Sequence, residues 1–188
     1  MPDHHRAGAE PAAGAPAPAT RIISGSLPPQ CSQQDFAALL REWTLHAVDT
    51  SGTALRTALE CRVGLVKPNQ AELAAIADGD DWQAAQNIHA GSGTTLLVTR
   101  GAAGAWLVGE EVWEAVPPAL NVSNPVGAGD STLAGFLWAT EQGHPPHEAL
   151  RWAIASGSVC AAHGGPQHLT HGAVAEMLPQ VSCRRVEG

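Results

Sequence analysis

The chain contains no apolar run near the ~20 residues needed to cross a bilayer, so no helical membrane span is expected. Cysteine is sparse, and Cys31, Cys61, Cys160 and Cys183 stand apart without any Cys-x-x-Cys pair. That spacing fits reduced thiols in a cytoplasmic protein rather than a disulfide framework or a zinc knuckle. Lys67 is the only lysine, and no Gly-Lys-Ser/Thr exists, which excludes a Walker phosphate loop. Basic charge is in deficit, with 10 Lys and Arg against 18 Asp and Glu and a formal charge of −8. This balance argues against a general nucleic-acid or membrane binder. Neither an internal repeat nor a serine-nucleophile elbow is present. The opening MPDHHRAGAEPAAGAPAPAT lacks the h-region of a signal peptide and is rich in Ala, Pro and Gly, so residues 1–20 are expected to be a disordered tail ahead of a domain at 21–188.

What is present is enough for a core: 188 residues, 44% of them hydrophobic, suit one domain of ordinary size. RIIS (21–24) reads as a short buried strand ended by GSLPP. SQQDFAALLREWTLHA places Phe36, Leu39, Leu40 and Trp43 at helical spacing, with Ser32 as N-cap and Asp35 in the first turn. AVDTSG is a strand end and turn, TALRTALECR an amphipathic helix, and GLVKPN a strand stopped by Pro68. A short helix follows over residues 70–77, another over 82–89, and then TTLLVTRG, the clearest strand. GAWLV and EVWEAV form a hairpin across GEE, and helices are expected over 130–140, 147–160 and 173–177. Strands alternating with helices of this length imply a three-layer α/β protein with a mostly parallel sheet covered on both faces, and the hairpin adds an antiparallel edge. In such sheets ligands sit beyond the carboxyl ends of strands. The loops SGSLPP, DTSG, KPNQAEL, TRGAAG and NPVGAGD all fall there.

Three of these loops carry candidate chemistry. In PVGAGDS, Gly127 and Gly129 let the backbone approach a ligand, and successive N–H groups at a helix start attract an anion. A carboxylate at Asp130 makes sense there if it faces a hydroxyl nucleophile while the amides hold the charge on a transferred phosphoryl group. Alternatively, Asp130 is only a helix cap in a glycine-rich turn. The dinucleotide fingerprint does not fit, because Thr132 holds its third glycine position. In KPNQAEL, Asn69 and Glu72 stand three apart at a helix start, either holding water around a Mg²⁺ or simply capping the helix. TRGAAG supplies Thr99, Gly101 and Gly104 for a tight turn where a nucleotide could lie, or for a plain strand-to-strand turn. The pairs His144-x-x-His147 and His168-x-x-His171 lack a third ligand at metal spacing, and Trp106, Trp138 and Trp152 lie in apolar stretches that read as core.

Taken together, SGSLPP, VDTSG, VKPNQAEL, LLVTRGAAGA, NPVGAGDSTLAGF and ALRWAIASGSVCAAHGG resemble, in content and order, the PfkB (ribokinase-like) carbohydrate kinases, over residues 22–165. The 1-phosphofructokinase and tagatose-6-phosphate kinase branch is the most similar. The resemblance implies ATP and Mg²⁺ as cofactors, a sugar phosphate as the other substrate, and a ribokinase-like α/β/α fold. It implies Asp130 as catalytic base at the substrate hydroxyl, with Gly127, Ala128 and Gly129 as the anion hole. Thr99, Arg100, Gly101, Ala102, Ala103 and Gly104 would meet ATP, Ser156 and Gly157 the adenine side, and Asn69 and Glu72 the Mg²⁺ through water. Pro125 departs from the family's usual Ser or Thr, which removes a hydroxyl and a backbone donor near the phosphates. The resemblance also implies that this is the C-terminal portion of such a domain, without the lid and most sugar contacts. A bared sheet edge, and association with a second copy or a complementing chain, are then expected. The alternative function is a nucleotide-binding module that does not turn over.

Overall fold

The computed structural model describes residues 20–42 and 47–187. The tail expectation and Trp43 therefore lie outside the described residues. Seven strands form one sheet in sequence order: β1 (Ile22–Ser24), β2 (Ala47–Asp49), β3 (Leu65–Val66), β4 (Thr95–Thr99), β5 (Ala105–Val108), β6 (Val112–Val116) and β7 (Ser182–Arg185). β1 to β4 pair in parallel, and the β4–β5, β5–β6 and β6–β7 pairs are antiparallel. Five strands thus run one way, with only β5 and β7 opposed. The parallel connections run through α1 (Gln33–Glu42), α2 (Gly52–Glu60), and α3 (Gln70–Ala74) with α4 (Trp82–Ser92). After the hairpin come α5 (Ala128–Glu141), α6 (Pro146–His163) and α7 (His171–Met177).

Strand side chains alternate between two cores, as a period of two requires. Leu96, Val98, Trp106 and Val108 point with Val48 and Val66 into a core covered by Phe36, Leu40, Leu55 and Ala85 from α1, α2 and α4. Leu97, Ala105, Leu107 and Ala115 point the other way, against Leu133, Leu137, Leu150 and Ile154 of α5 and α6. α5 and α6 pack unusually closely. A Cβ at Gly135 would fall 2.3 Å from Ser156 Oγ, and one at Gly157 would fall 2.3 Å from Thr132 Oγ1. Those two glycines let the helix backbones approach.

Two expectations are corrected. β1 is not buried: Ile22 is 44% exposed, because β1 is the sheet's edge among the described residues and pairs only with β2. β7 was not foreseen, since SCRR shows no apolar alternation. It holds its place by pairing with β6 and by ion pairs from Arg184 to Glu114 and from Arg185 to Glu111.

Candidate active site

The carboxyl ends of the strands gather the loops named above. Asn69 caps α3 from a position bridged to Thr99 at the end of β4, and the Thr99 amide donates to Pro68 O at 3.0 Å. Gly25, just after β1, donates to Asp49 O at 2.9 Å. Ser24 Oγ lies 3.5 Å from Asp130 Oδ1, so the start of α5 sits across from the end of β1. The one lysine of the chain stands between them. Lys67 Nζ is 2.9 Å from Asp49 Oδ2, and it lies 3.5 Å from where a Cβ on Gly129 would be.

The start of α5, like those of α2 and α6, carries no side-chain cap. Asn69, Asp81 and Thr170 each cap their helix with a side chain, whereas Gly127, at φ +83, begins α5 with no side-chain cap. Asp130 is exposed and does not cap; its one side-chain partner among the described residues is Ser24. The Ala128 amide is used within the turn, while the Gly127 and Gly129 amides carry no backbone bond among the described residues and face an external acceptor, next to a buried cation. The turn itself is braced from behind. The Ser123 and Asn124 amides both donate to Ala161 O of α6, and the thiol of buried Cys160 reaches Val126 O at 3.6 Å. Pro125, whose carbonyl accepts from the Ala128 amide at 3.1 Å, fits within this turn, and Asn124 Oδ1 accepts from the Val126 amide at 3.0 Å.

The other sequence-selected residues fall in three groups. Asn69 and Glu72 form a capping box: the Glu72 amide donates to Asn69 Oδ1 at 2.9 Å, and the Asn69 amide donates to Glu72 Oε2 at 2.8 Å. The capping alternative is thus realised, and Glu72 Oε1 is left over. Among the described residues no three His, Cys, Asp or Glu side chains stand together as a metal cage.

Gly101, Ala102 and Ala103 form an exposed single-turn helix after β4, closed by Gly104. Arg100 turns away from it. Its guanidinium stacks over Trp106 at 3.9 Å and pairs with Glu114 Oε1 at 2.7 Å, so only the backbone of residue 100 faces the loop cluster. Burial pushes the Glu114 carboxyl up, but hydrogen bonds and charge from Arg184 and Arg100 outweigh it and hold it below the usual range.

Gly157 meets Ala128 O, 3.1 Å from its would-be Cβ, and so reaches the Gly127–Gly129 turn. The Ser156 side chain instead packs on Gly135, farther along α5. Ser24, Asp49 and Lys67 belong to the cluster and were not selected from sequence. A lone lysine directly before Pro-Asn at a strand end was the available signal.

The Lys67–Asp49 pair yields a prediction. Both side chains are largely buried, at 8% and 17% exposure. Lys67→Met strands the Asp49 carboxylate and is expected to cost about 3 kcal/mol in urea unfolding. Adding Asp49→Asn to that variant should restore more than half of the loss, and a double variant no better than the single one would refute the coupling.

Fold and site together define an α/β protein of the class that binds ligands beyond its strand ends, here around an open, cation-flanked helix start. Residues 22–171 match the pfkB family of carbohydrate kinases, and the chain belongs to that family. It is 37% identical over 150 residues to a 1-phosphofructokinase of Haloferax volcanii, covering 75% of this chain and 48% of that protein. To ATP-dependent 6-phosphofructokinase isozyme 2 of Escherichia coli it is 32% identical, over 80% of this chain and 53% of that one. The solved Escherichia coli phosphofructokinase-2 in complex with potassium superposes with a TM-score of 0.78 at 30% identity, over 84% of this chain and 55% of that one. The chain thus spans about half the length of the relatives it matches.

Proposed function

We propose that this chain supplies the nucleotide-binding and catalytic part of an ATP-dependent sugar-phosphate kinase of the 1-phosphofructokinase kind. The observation that carries this reading is the uncapped start of α5, with Asp130 exposed on it and Lys67 beside it. The amides of Gly127 and Gly129 receive the negative charge of the transferred phosphoryl group, that of Ala128 being held by Pro125 O, and Lys67 adds a positive charge on the same side. Asp130 accepts the proton of the sugar-phosphate hydroxyl as that oxygen bonds to the γ-phosphorus and the bond to the ADP oxygen breaks. Residues 99–104 take the nucleotide through their backbone, with Gly157 at the far side of the turn. Asn69 and Glu72 hold water around a Mg²⁺, whose chemistry is to neutralise phosphate charge.

A second reading, a nucleotide-binding module without turnover, draws on the open side of the site, where Asp130 faces only Ser24 at the exposed edge. Both readings require nucleotide binding. Mg·ATP at ~100 times its dissociation constant is expected to add about 2.7 kcal/mol to the folded state, read as a rise in melting temperature. A cooperative melt indifferent to Mg·ATP would overturn both. A rise without ADP release on adding fructose 1-phosphate would select the second.

A further inference from the structure

The inner edges of α5, α6 and α7 line a cavity of about 220 Å³, open to solvent on one side, that takes no part in the site above. Its walls include Gly135, Trp138, Trp152, Ser156, Leu169 and His171. Trp138 lies eight residues beyond Asp130 on the same helix, ~12 Å along its axis at the α-helical rise. The cavity is therefore separate from the phosphate turn, though built on the same two helices.

Its lining is nearly all ring and aliphatic surface. The indoles of Trp138 and Trp152 meet at 4.7 Å between centroids, and the His171 ring lies 5.4 Å from each. His144 closes the cluster from behind, 6.2 Å from Trp138 and 6.0 Å from Trp152. No carboxylate, arginine or lysine lines it among the described residues. Two hydroxyls do, and they differ. Thr170 Oγ1 is engaged, accepting from the Ala173 amide at 3.2 Å. Ser156 is 3% exposed as a residue, and its hydroxyl, without a hydrogen-bond partner among the described residues, opens onto the cavity. Trp138, 36% exposed, stands where the cavity meets solvent.

We propose that this cavity is a second small-molecule site, taking a neutral aromatic ring of phenol or indole size that bears one hydrogen-bonding group. The ring adds to the ring cluster of Trp138, Trp152 and His171, of which the Trp138–His171 pair is edge-to-face, and the polar group meets the hydroxyl of Ser156. The absence of charged walls selects against sugar phosphates and nucleotides, which keeps this ligand class apart from the substrates proposed above.

Titrating phenol and indole into the full chain, observed by the tryptophan indole N–H resonances, tests this. The resonances of Trp138 and Trp152 should move saturably, while those of Trp82, Trp106 and Trp113 stay in place. Cyclohexanol, which keeps the hydroxyl but lacks the π face, should bind about fivefold more weakly than phenol. Ser156→Ala should weaken phenol by about fivefold, and Ala134→Trp, a change at an exposed position on the cavity rim, should abolish binding. No movement at saturating probe, equal binding of cyclohexanol, or unaltered binding by the Ala134→Trp chain would each overturn the assignment. The probe experiments need no variant, so a variant that fails to fold leaves the test intact.

Discussion

Asp130→Asn is expected to lower the turnover of phosphoryl transfer by ~10²- to 10⁴-fold, the range a positioned general base contributes, and to leave the Michaelis constant for ATP unchanged or lower. The substitution is nearly isosteric, and Asp130 is exposed with one long contact to Ser24, so the fold loses little. Removing a negative charge from the first turn of α5 also removes a repulsion on the nucleotide phosphates. A cap, the bland role, would show the opposite pattern: a lower melting temperature and unaltered chemistry. Steady-state ADP release with fructose 1-phosphate as acceptor, beside a thermal melt, separates the two. Turnover within tenfold of the unaltered chain would remove Asp130 from the role of base.

The same contrast explains what could be read from the sequence. Apolar patterning located β2 to β6 and α1 to α7, because those elements are buried on at least one side and their patterns record it. β1 and β7 are edges held by pairing rather than burial. Thus Ile22 was misplaced in the core, and SCRR carried no strand signal at all. Trp138 was read as core from its apolar surroundings, yet it is 36% exposed, because the α5 face it occupies turns toward α7 and solvent.

At the site, local motifs revealed what is local: the Gly-Ala-Gly turn, the Asn69–Glu72 box and the turn after β4. The Lys67–Asp49 pair and the contact of Ser24 with Asp130, 106 residues apart in sequence, arise only when parallel strands set their ends side by side. Arg100 shows the converse. Its place in a promising loop was plain, but its side chain is committed to Trp106 and Glu114, partners that only the β4–β5–β6 register supplies.

Gly104→Ala is expected to cost about 4 kcal/mol or more, lowering the melting temperature by ~8–16 °C for a chain of this size. Gly104 was selected as a nucleotide contact, yet the geometry gives it a structural duty first. It sits at φ +84 and ψ −134, a region that L residues avoid. A Cβ there would lie 1.9 Å from Ala115 O and 2.9 Å from Val116 Cα, backbone that cannot give way without parting β5 from β6. Gly104 also closes the turn, its carbonyl accepting from the Arg100 amide at 2.8 Å. Any displacement therefore spreads to the Arg100–Glu114 pair.

Gly101 is the control for this prediction, since its φ is +57 but a Cβ would meet nothing within 4 Å. Gly101→Ala should therefore cost only the left-handed backbone penalty of about 1 kcal/mol. Equal melting shifts for the two variants would mean that collision with β6 is not what fixes glycine at 104. If, in addition, Gly101→Ala raises the Michaelis constant for ATP while barely moving the melt, the exposed turn of residues 101–103 binds the nucleotide and Gly104 only shapes it.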